Sequence, residues 1–242
     1  MSPLPDQVRT PSPGCPGSPL ATVTLPRLEI ALDPSDILRS LGHPPGATPS
    51  PDIIQPVAKL LREAEAYLHP CGTYSLYSPA AWTDRTFEIG GLTIVGDAAR
   101  FFKGAGRIAV FMVTVGDEIT RQAGMRGAAG DASTGRILDA IGSWAAERTA
   151  EALMTHLAAH LGPDESFTVR YSPGFCGMDL SQQRLLFQLA PAGTVGISLL
   201  PSLFMRPLKS ISGLVGLGPR EVVGIHLSPC EPCPLTGCHM RR

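Results

Sequence analysis

Two short segments of this 242-residue chain carry residue types that can do chemistry. Near the C-terminus, Cys230, Cys233 and Cys238 follow a C-x2-C-x4-C spacing, with prolines that stiffen the turn between them. Three thiolates at this spacing can reach one metal ion or cluster. Four thiolates suit Zn²⁺ or a [4Fe–4S] cluster, and the spacing does not choose between them. The alternative is a C-terminal tail with reduced thiols, because cysteine also serves as a small apolar residue.

The second segment, Arg170 to Gly177, leaves a predicted strand and turns before a predicted helix. In it, Pro173 fixes one backbone dihedral, and Gly174 lets a ligand approach the main chain without a Cβ in the way. An arginine at the end of such a strand can form a bidentate contact with a carboxylate. Cys176 lies in the same turn and is the candidate for the fourth thiolate. The alternative is an ordinary Pro-Gly surface turn, which is a common structure.

Charge and hydropathy exclude two classes of partner. The chain has 20 Lys and Arg against 21 Asp and Glu and contains no basic run, which argues against sequence-independent binding of nucleic acid. The longest apolar stretch, residues 108–115 interrupted only by Thr114, is far shorter than the ~20 residues that cross a bilayer. The N-terminus also lacks the basic-then-apolar order of a secretory signal. We therefore expect a cytoplasmic protein that binds neither nucleic acid nor membranes.

The distribution of proline and of apolar periodicity divides the chain into three predicted parts. Residues 1–26 contain seven prolines and no apolar periodicity, which predicts a disordered tail. Residues 27–229 carry the periodic segments of one domain, and residues 230–242 form a tail with the cysteine cluster. Within the domain, the patterns predict helices and strands in mixed order. The predicted helices cover 35–41, 53–68, 97–102, 131–161 and 180–189, and the predicted strands 27–32, 73–95 with a turn at Gly90-Gly91, 107–115, 167–171, 195–199 and paired strands within 210–227.

Several ordered segments resemble the S-adenosylmethionine-binding activation domain of cobalamin-dependent methionine synthase, and most of all its stand-alone homologues. These segments are 170–177, 199–205 and 209–213, and the long-helix segment 137–143 is also similar. The resemblance runs from about Leu28 to the C-terminus. It implies an α+β fold with a twisted, mainly antiparallel sheet and helices packed around it. The terminal cysteines fit this resemblance, because stand-alone relatives often carry a similar cluster.

The resemblance also implies a ligand site. The family pattern Arg-x-x-Pro-Gly-Tyr falls on the segment that begins at Arg170, so Arg170 would hold the methionine carboxylate of S-adenosylmethionine. Ser172 and Gly174 would contribute backbone contacts. The predicted ligand-binding residues are Arg170, Ser172, Pro173, Gly174, Phe175, Ser212 and Gly213, and the predicted metal ligands are Cys176, Cys230, Cys233 and Cys238.

Three positions depart from the family pattern. Phe175 stands in place of the usual Tyr, which keeps an apolar face and removes a hydroxyl. Leu200-Pro201-Ser202 stands where the multidomain enzyme has Thr-Glu-Ser, so a family carboxylate is absent. Leu214-Val215-Gly216 replaces an aromatic pair, which removes a stacking surface for adenine. These departures predict altered, weakened or lost ligand binding on a conserved scaffold.

The function that the resemblance implies is support of corrinoid methyl transfer. Cobalamin on a partner protein falls to inactive Co(II), and after one-electron reduction Co(I) takes the methyl group of S-adenosylmethionine. This chain would orient the methyl group and exclude water, and if the terminal thiols bind an iron–sulfur cluster, the same chain would also deliver the electron. The expected partners are an electron donor and a corrinoid protein or methionine synthase fragment. Two alternatives stay open: a binding module that has lost S-adenosylmethionine and holds its tail with Zn²⁺, and a cluster-carrying redox protein without a methyl donor.

Overall fold

A computed structural model describes residues 7–9, 17–43, 50–175 and 177–223 of the chain. Ten strands and seven α-helices occur in these ranges. In chain order they are β1 (Gln7–Arg9), β2 (Ala21–Leu25), α1 (Pro34–Ser40), α2 (Pro51–Ala64), β3 (Cys71–Tyr77), β4 (Thr86–Ile89), β5 (Leu92–Val95), α3 (Ala98–Phe101), β6 (Arg107–Thr114), α4 (Glu118–Ala128), α5 (Ala132–Ala158), β7 (Glu165–Phe167), α6 (Gln183–Leu189), β8 (Ser198–Leu199), β9 (Met205–Arg206), β10 (Ser210–Pro219) and α7 (Arg220–Val223). In the described part of the chain, no helix is both long and apolar enough to cross a membrane.

The centre of the molecule is a six-stranded sheet with the strand order β1-β2-β3-β6-β10-β7. Every neighbouring pair in it is antiparallel. Strand β6 lies in the middle, and its residues from Ile108 to Thr114 are all buried, as the continuous β-branched and aromatic run predicts. The hairpins β4–β5 and β8–β9 stand outside this sheet. The predicted α+β class with a mainly antiparallel sheet is therefore confirmed.

The sheet has a different layer on each face. Leu153 and Leu157 of α5 pack with Val215 and Leu217 of β10 on one face. On the other face, the β4–β5 hairpin, α3 and α6 enclose a cluster that includes Tyr171. Helices α1, α2 and α4 pack against the first half of α5 and form a third cluster. The Arg170 segment follows β7, so it lies at the edge of the sheet where the two layers meet.

Most predicted elements are present, but the N-terminal boundary is wrong. Strands β1 and β2 lie inside the predicted tail 1–26, and β2 pairs with β3 along its full length. Val23 and Leu25 are buried in the core. The apolar alternation of these two residues is short, and the prolines around it favoured the prediction of a disordered tail. The strand predicted over 27–32 does not form; instead Leu28 is buried and its N–H donates to the carbonyl of Pro70 at 2.8 Å.

Two further differences concern the second half of the fold. The segment 210–219 forms one long strand, β10, rather than the first of two paired strands, and its partners are β6 and β7. Residues 224–227 lie outside the described ranges. Helix α4 was not predicted, because its sequence is polar and carries two glycines, so the apolar spacing of a helix is weak. It packs against α5 through buried Ile119.

The edge strand β7 is held by an ion pair whose effect depends on pH. Nη2 of Arg107 donates to both carboxylate oxygens of Glu165, at 2.6 and 2.7 Å, and the N–H of Gly162 donates to Oε2 at 2.9 Å. The Gly162 N–H and then Arg107 lower the pKa of Glu165. A lowered carboxyl pKa stabilises the fold above the unfolded-state pKa, and this contribution disappears as pH falls through the folded-state pKa.

We therefore expect Glu165→Gln to lower the melting temperature at pH 7, with a difference from the unmodified chain that narrows below roughly pH 4. Thermal melts between pH 7 and pH 3 measure this. Glu221→Gln, at an exposed position of α7, serves as the control and should leave the melting temperature unchanged at each pH. A difference at pH 3 as large as that at pH 7 would show that the carboxylate charge plays no part.

Candidate functional site

The predicted ligand turn leaves the sheet edge at Tyr171. The N–H and C=O of Tyr171 bond with the C=O and N–H of Leu214, at 2.9 and 2.8 Å. Its side chain is fully buried, and its ring lies 5.3 Å from the ring of Phe101. The bridge and the buried ring together fix the point from which Ser172 to Phe175 extend.

Residues 172–175, 177 and 178 follow the tight turn that the sequence predicts. The N–H of Phe175 donates to the C=O of Ser172 at 3.0 Å, and the N–H of Gly174 donates to the C=O of Met178 at 2.9 Å. Gly174 has φ of +91°, a region that residues with a Cβ rarely adopt. Pro173 is buried, whereas Phe175 is 47% exposed. The turn thus presents a main-chain surface and one aromatic ring.

Arg170 does not extend into bulk water. Its Nη2 lies 3.0 Å from Oε2 of Glu147 on α5, and the two side chains are 18% and 24% exposed. A ligand carboxylate that binds Arg170 therefore has to share this guanidinium with Glu147 or displace it. Adjacent positive and negative groups are complementary to the zwitterion of an α-amino acid, whose carboxylate would bind Arg170 and whose ammonium would bind Glu147.

Glu147 is the residue that the sequence analysis missed. It belongs to a polar row on α5 at four-residue spacing, with Asp139 and Ser143 before it. Nζ of Lys209 lies 2.6 Å from Asp139 and 2.8 Å from Ser143. The four-residue spacing of these polar side chains is the signal that marks this face of α5, although it does not identify the partner.

Ser212 and Gly213 lie next to the turn, but the Ser212 side chain is already bonded within the protein. Its hydroxyl is buried and donates to Oε1 of Gln183 at 3.1 Å. A Cβ on Gly213 would lie 2.9 Å from the C=O oxygen of Tyr171. Gly213 is thus required for the close approach of the two chains. Ser212 could therefore contact a ligand only through its main chain.

The register explains why the main chain of Ser212 is open toward the turn. Tyr171 pairs with Leu214, so continuation of the ladder would place Pro173 opposite Ser212. Proline has no N–H, so Pro173 cannot donate to the C=O of Ser212, and the ladder ends there. The predicted roles of all seven ligand residues stay predictions; the structure brings them to one side of the sheet edge.

The four predicted metal ligands, Cys176, Cys230, Cys233 and Cys238, lie outside the described residues. Within the described ranges, no group of three or more His, Cys, Asp or Glu side chains comes together in a way that could hold a metal ion. The half-buried thiol of Cys71 is 3.9 Å from the C=O of Val195, and burial raises its pKa.

Comparison with known proteins gives one informative result. No protein-family model matches the sequence, and no curated protein matches it. Among solved structures, the chain is similar to the crystal structure of the MetH reactivation domain bound to AdoHcy, with a TM-score of 0.57. The match covers 80% of this chain and 79% of that chain at 19% identity. This chain has the fold of the MetH reactivation domain. The resemblance found in the sequence is thus confirmed at the level of the fold.

One predicted departure from the activation-domain pattern has a clear structural counterpart. Leu214 and Val215, which stand where that pattern has an aromatic pair, are both fully buried, on opposite faces of the sheet. Neither side chain can therefore stack on a ligand. The exposed ring of Phe175, 5.9 Å from the ring of Tyr171, is the aromatic surface that the turn itself offers.

Proposed function

We propose that this chain binds S-adenosylmethionine at the Arg170 turn and presents the methyl group to a corrinoid held by a partner protein. The observation that carries the proposal is the ion pair of Arg170 and Glu147 beside a main-chain turn. It is also supported by the MetH reactivation domain, which has this fold and was crystallised with AdoHcy. AdoHcy is the compound that remains when S-adenosylmethionine has lost its methyl group.

The role of the chain in this reaction is to bind and orient. Arg170 holds the carboxylate of the methionine moiety, and Glu147 holds the ammonium group. The turn contributes main-chain contacts through Ser172 and Gly174, and Phe175 contacts the apolar part of the ligand. A corrinoid held by the partner protein, reduced by a separate electron donor, would supply the nucleophile that takes the methyl group. Because methyl transfer moves no proton, the chain accelerates it by alignment and by excluding water.

Calorimetric titration of the full chain with S-adenosylmethionine tests the proposal. We expect saturable binding at one site per chain, together with binding of S-adenosylhomocysteine. 5′-Methylthioadenosine, which lacks the amino-acid moiety, should bind more weakly because it cannot use either charged residue. Absence of binding of S-adenosylmethionine at millimolar concentration would contradict the proposal and leave only the fold assignment.

Glu147→Gln tests the ammonium contact separately. A charge-assisted hydrogen bond contributes about 1.5–3 kcal/mol, so we expect affinity for S-adenosylmethionine to fall by roughly 10- to 100-fold. Binding of 5′-methylthioadenosine should not change. Glu151→Gln is the matched control, because Glu151 lies on the same helix and pairs with Arg148 instead. An equal loss of affinity for S-adenosylmethionine in both variants would show that the net charge of α5, rather than a contact from Glu147, affects binding.

A second candidate function is metal binding by the cysteines, and the chain path around α3 favours it. The N–H of Asp97 donates to the C=O of Gly177, and Val222 contacts Gly104, so the flanks of Cys176 and of the C-terminal segment reach the same short stretch of chain. Six residues lie between Val223 and Cys230, and the seven steps of chain can span up to about 25 Å. We propose on this basis that the terminal thiols join Cys176 in one metal site.

We expect Cys233→Ser to abolish stoichiometric metal in anaerobically purified protein, because the remaining thiols cannot complete a four-ligand site. Elemental analysis measures the metal, and absorbance that bleaches on reduction distinguishes an iron–sulfur cluster from colourless Zn²⁺. Cys71→Ser is the control and should retain the metal. Full retention in Cys233→Ser would show that this thiol is not a ligand.

A further inference from the structure

A surface cleft lies near the C-terminal end of α3, whereas the contact with Gly177 lies at its N-terminal end. It has a volume of about 500 Å³, and its lining includes Trp82, Asp84, Lys103 and Gly104. We call it the Trp82 cleft. Its volume falls within the range of roughly 300–1,000 Å³ that is typical of small-molecule sites.

The indole of Trp82 is held rigidly at this cleft. One face stacks on Phe87, with ring centroids 4.9 Å apart and 17° between the planes, and Phe87 is fully buried. The indole Nε1 donates to the C=O of Ala99 at 2.9 Å. Trp82 lines the cleft and is only partly buried, so the accessible part of its indole is held in place by these two contacts. A flat ring can stack on it without the cost of ordering a mobile side chain.

The backbone that leads into Trp82 is strained. Ala81 has φ of +46°, in the left-handed region that costs an L-residue roughly 1–2 kcal/mol. The following turn holds it there: the N–H of Thr83 donates to the C=O of Thr86 at 2.8 Å, and their hydroxyls are 2.7 Å apart. Backbone strain of this kind persists only where the surrounding structure holds it in place, and it is found most often at functional sites. Here it sets the position of Trp82.

Two opposite charges lie at the rim of the Trp82 cleft. Nζ of Lys103 is 3.9 Å from Oδ1 of Asp84, and both side chains are largely exposed. An exposed ion pair with this long a distance between its charged groups contributes little to stability. Each group can therefore exchange its partner for a ligand at a small cost in free energy. Lys103 can bind an anionic group, and Asp84 can accept a hydrogen bond from an amino or hydroxyl group.

We propose that the Trp82 cleft binds a purine nucleotide, with the base stacked on Trp82 and the phosphate at Lys103. A nucleotide has the three groups that the cleft residues can bind: a flat ring for Trp82, a negative group for Lys103 and polar hydrogens for Asp84. None of the residues that line the Trp82 cleft belongs to the Arg170 turn. S-Adenosylmethionine has no phosphate, and its carboxylate is assigned to Arg170, so it leaves no anionic group for Lys103.

Intrinsic fluorescence can test the proposal, because the chain has only two tryptophans. In a Trp144→Phe background the emission comes from Trp82 alone. Titration with AMP should quench it saturably, adenosine should bind at least fivefold more weakly, and ribose 5-phosphate should cause no quenching. Lys103→Met should weaken AMP at least fivefold without changing the affinity for adenosine. Because Lys103 is largely exposed, this variant tests the site without disturbing the core.

Three outcomes would overturn the proposal: no quenching by millimolar AMP, equal AMP affinity in Lys103→Met, or loss of AMP binding when S-adenosylmethionine saturates the chain. The third would make the cleft the adenosine end of the Arg170 site. Arg170→Ala separates this proposal from the first one, because it should lower the affinity for S-adenosylmethionine and leave the AMP titration unchanged. Calorimetry on Trp82→Leu, with its melting temperature recorded, should show no AMP binding.

Discussion

Replacing Arg170 with Ala is expected to weaken binding of S-adenosylmethionine by about 2–4 kcal/mol, or roughly 30- to 1,000-fold in Kd. The guanidinium is the positive group at the turn, and it is already oriented by Glu147 at 3.0 Å. Its loss removes the anchor of the ligand carboxylate and leaves Glu147, which repels that carboxylate. Calorimetric titration of the unmodified chain and the variant measures the difference.

Three controls separate ligand recognition from a structural effect. Arg170→Lys keeps the charge and loses the bidentate geometry, so its affinity should fall between those of the unmodified chain and Arg170→Ala. Arg126→Ala, at an exposed position of α4, should bind S-adenosylmethionine normally. 5′-Methylthioadenosine should bind Arg170→Ala and the unmodified chain equally. An unchanged Kd for S-adenosylmethionine in Arg170→Ala would remove this residue from the site.

Helices and strands whose characteristic residue pattern lies within one short segment were predictable from the sequence. The apolar run of β6, the glycine pair between β4 and β5, and the long periodic stretch of α5 each contain their own evidence within a few residues. Strand β2 was missed because its short alternation of Val23 and Leu25 has meaning only when β3 lies beside it. Local patterns thus specify the centre of the sheet better than its edge.

The ligand site also has a part that was predictable from the sequence and a part that was not. The turn from Ser172 to Gly174 was predictable because proline and glycine dictate backbone geometry locally. Glu147 precedes Arg170 by 23 residues, and the two meet only when α5 packs across the sheet. Likewise, the buried bond from Ser212 to Gln183 depends on how α6 packs against β10. Charge partners and side-chain direction are properties of the packing, so the sequence indicated which residues gather at the site but not how they pair.

Gly213→Ala is expected to destabilise the fold by about 1–3 kcal/mol, because the added methyl group has no space. Its Cβ would lie 2.9 Å from the ring of Phe111 and 2.9 Å from the C=O oxygen of Tyr171. The Phe111 ring is fully buried, and the Tyr171 oxygen is held by the N–H of Leu214 at 2.8 Å, so neither can move freely. Denaturant unfolding and thermal melts measure the loss.

The same substitution links stability to ligand binding, since the bridge between Tyr171 and Leu214 fixes the start of the turn. If the methyl group displaces Tyr171, the turn moves with it, and affinity for S-adenosylmethionine should fall even at temperatures where the variant is fully folded. Gly124→Ala is the matched control: this exposed glycine of α4 has no atom near the added Cβ, so alanine should stabilise the helix by about 0.5–1 kcal/mol. A Gly213→Ala chain as stable as the unmodified one would mean that the sheet edge can open at this point. In that case the position of the turn could not depend on the close approach of β10.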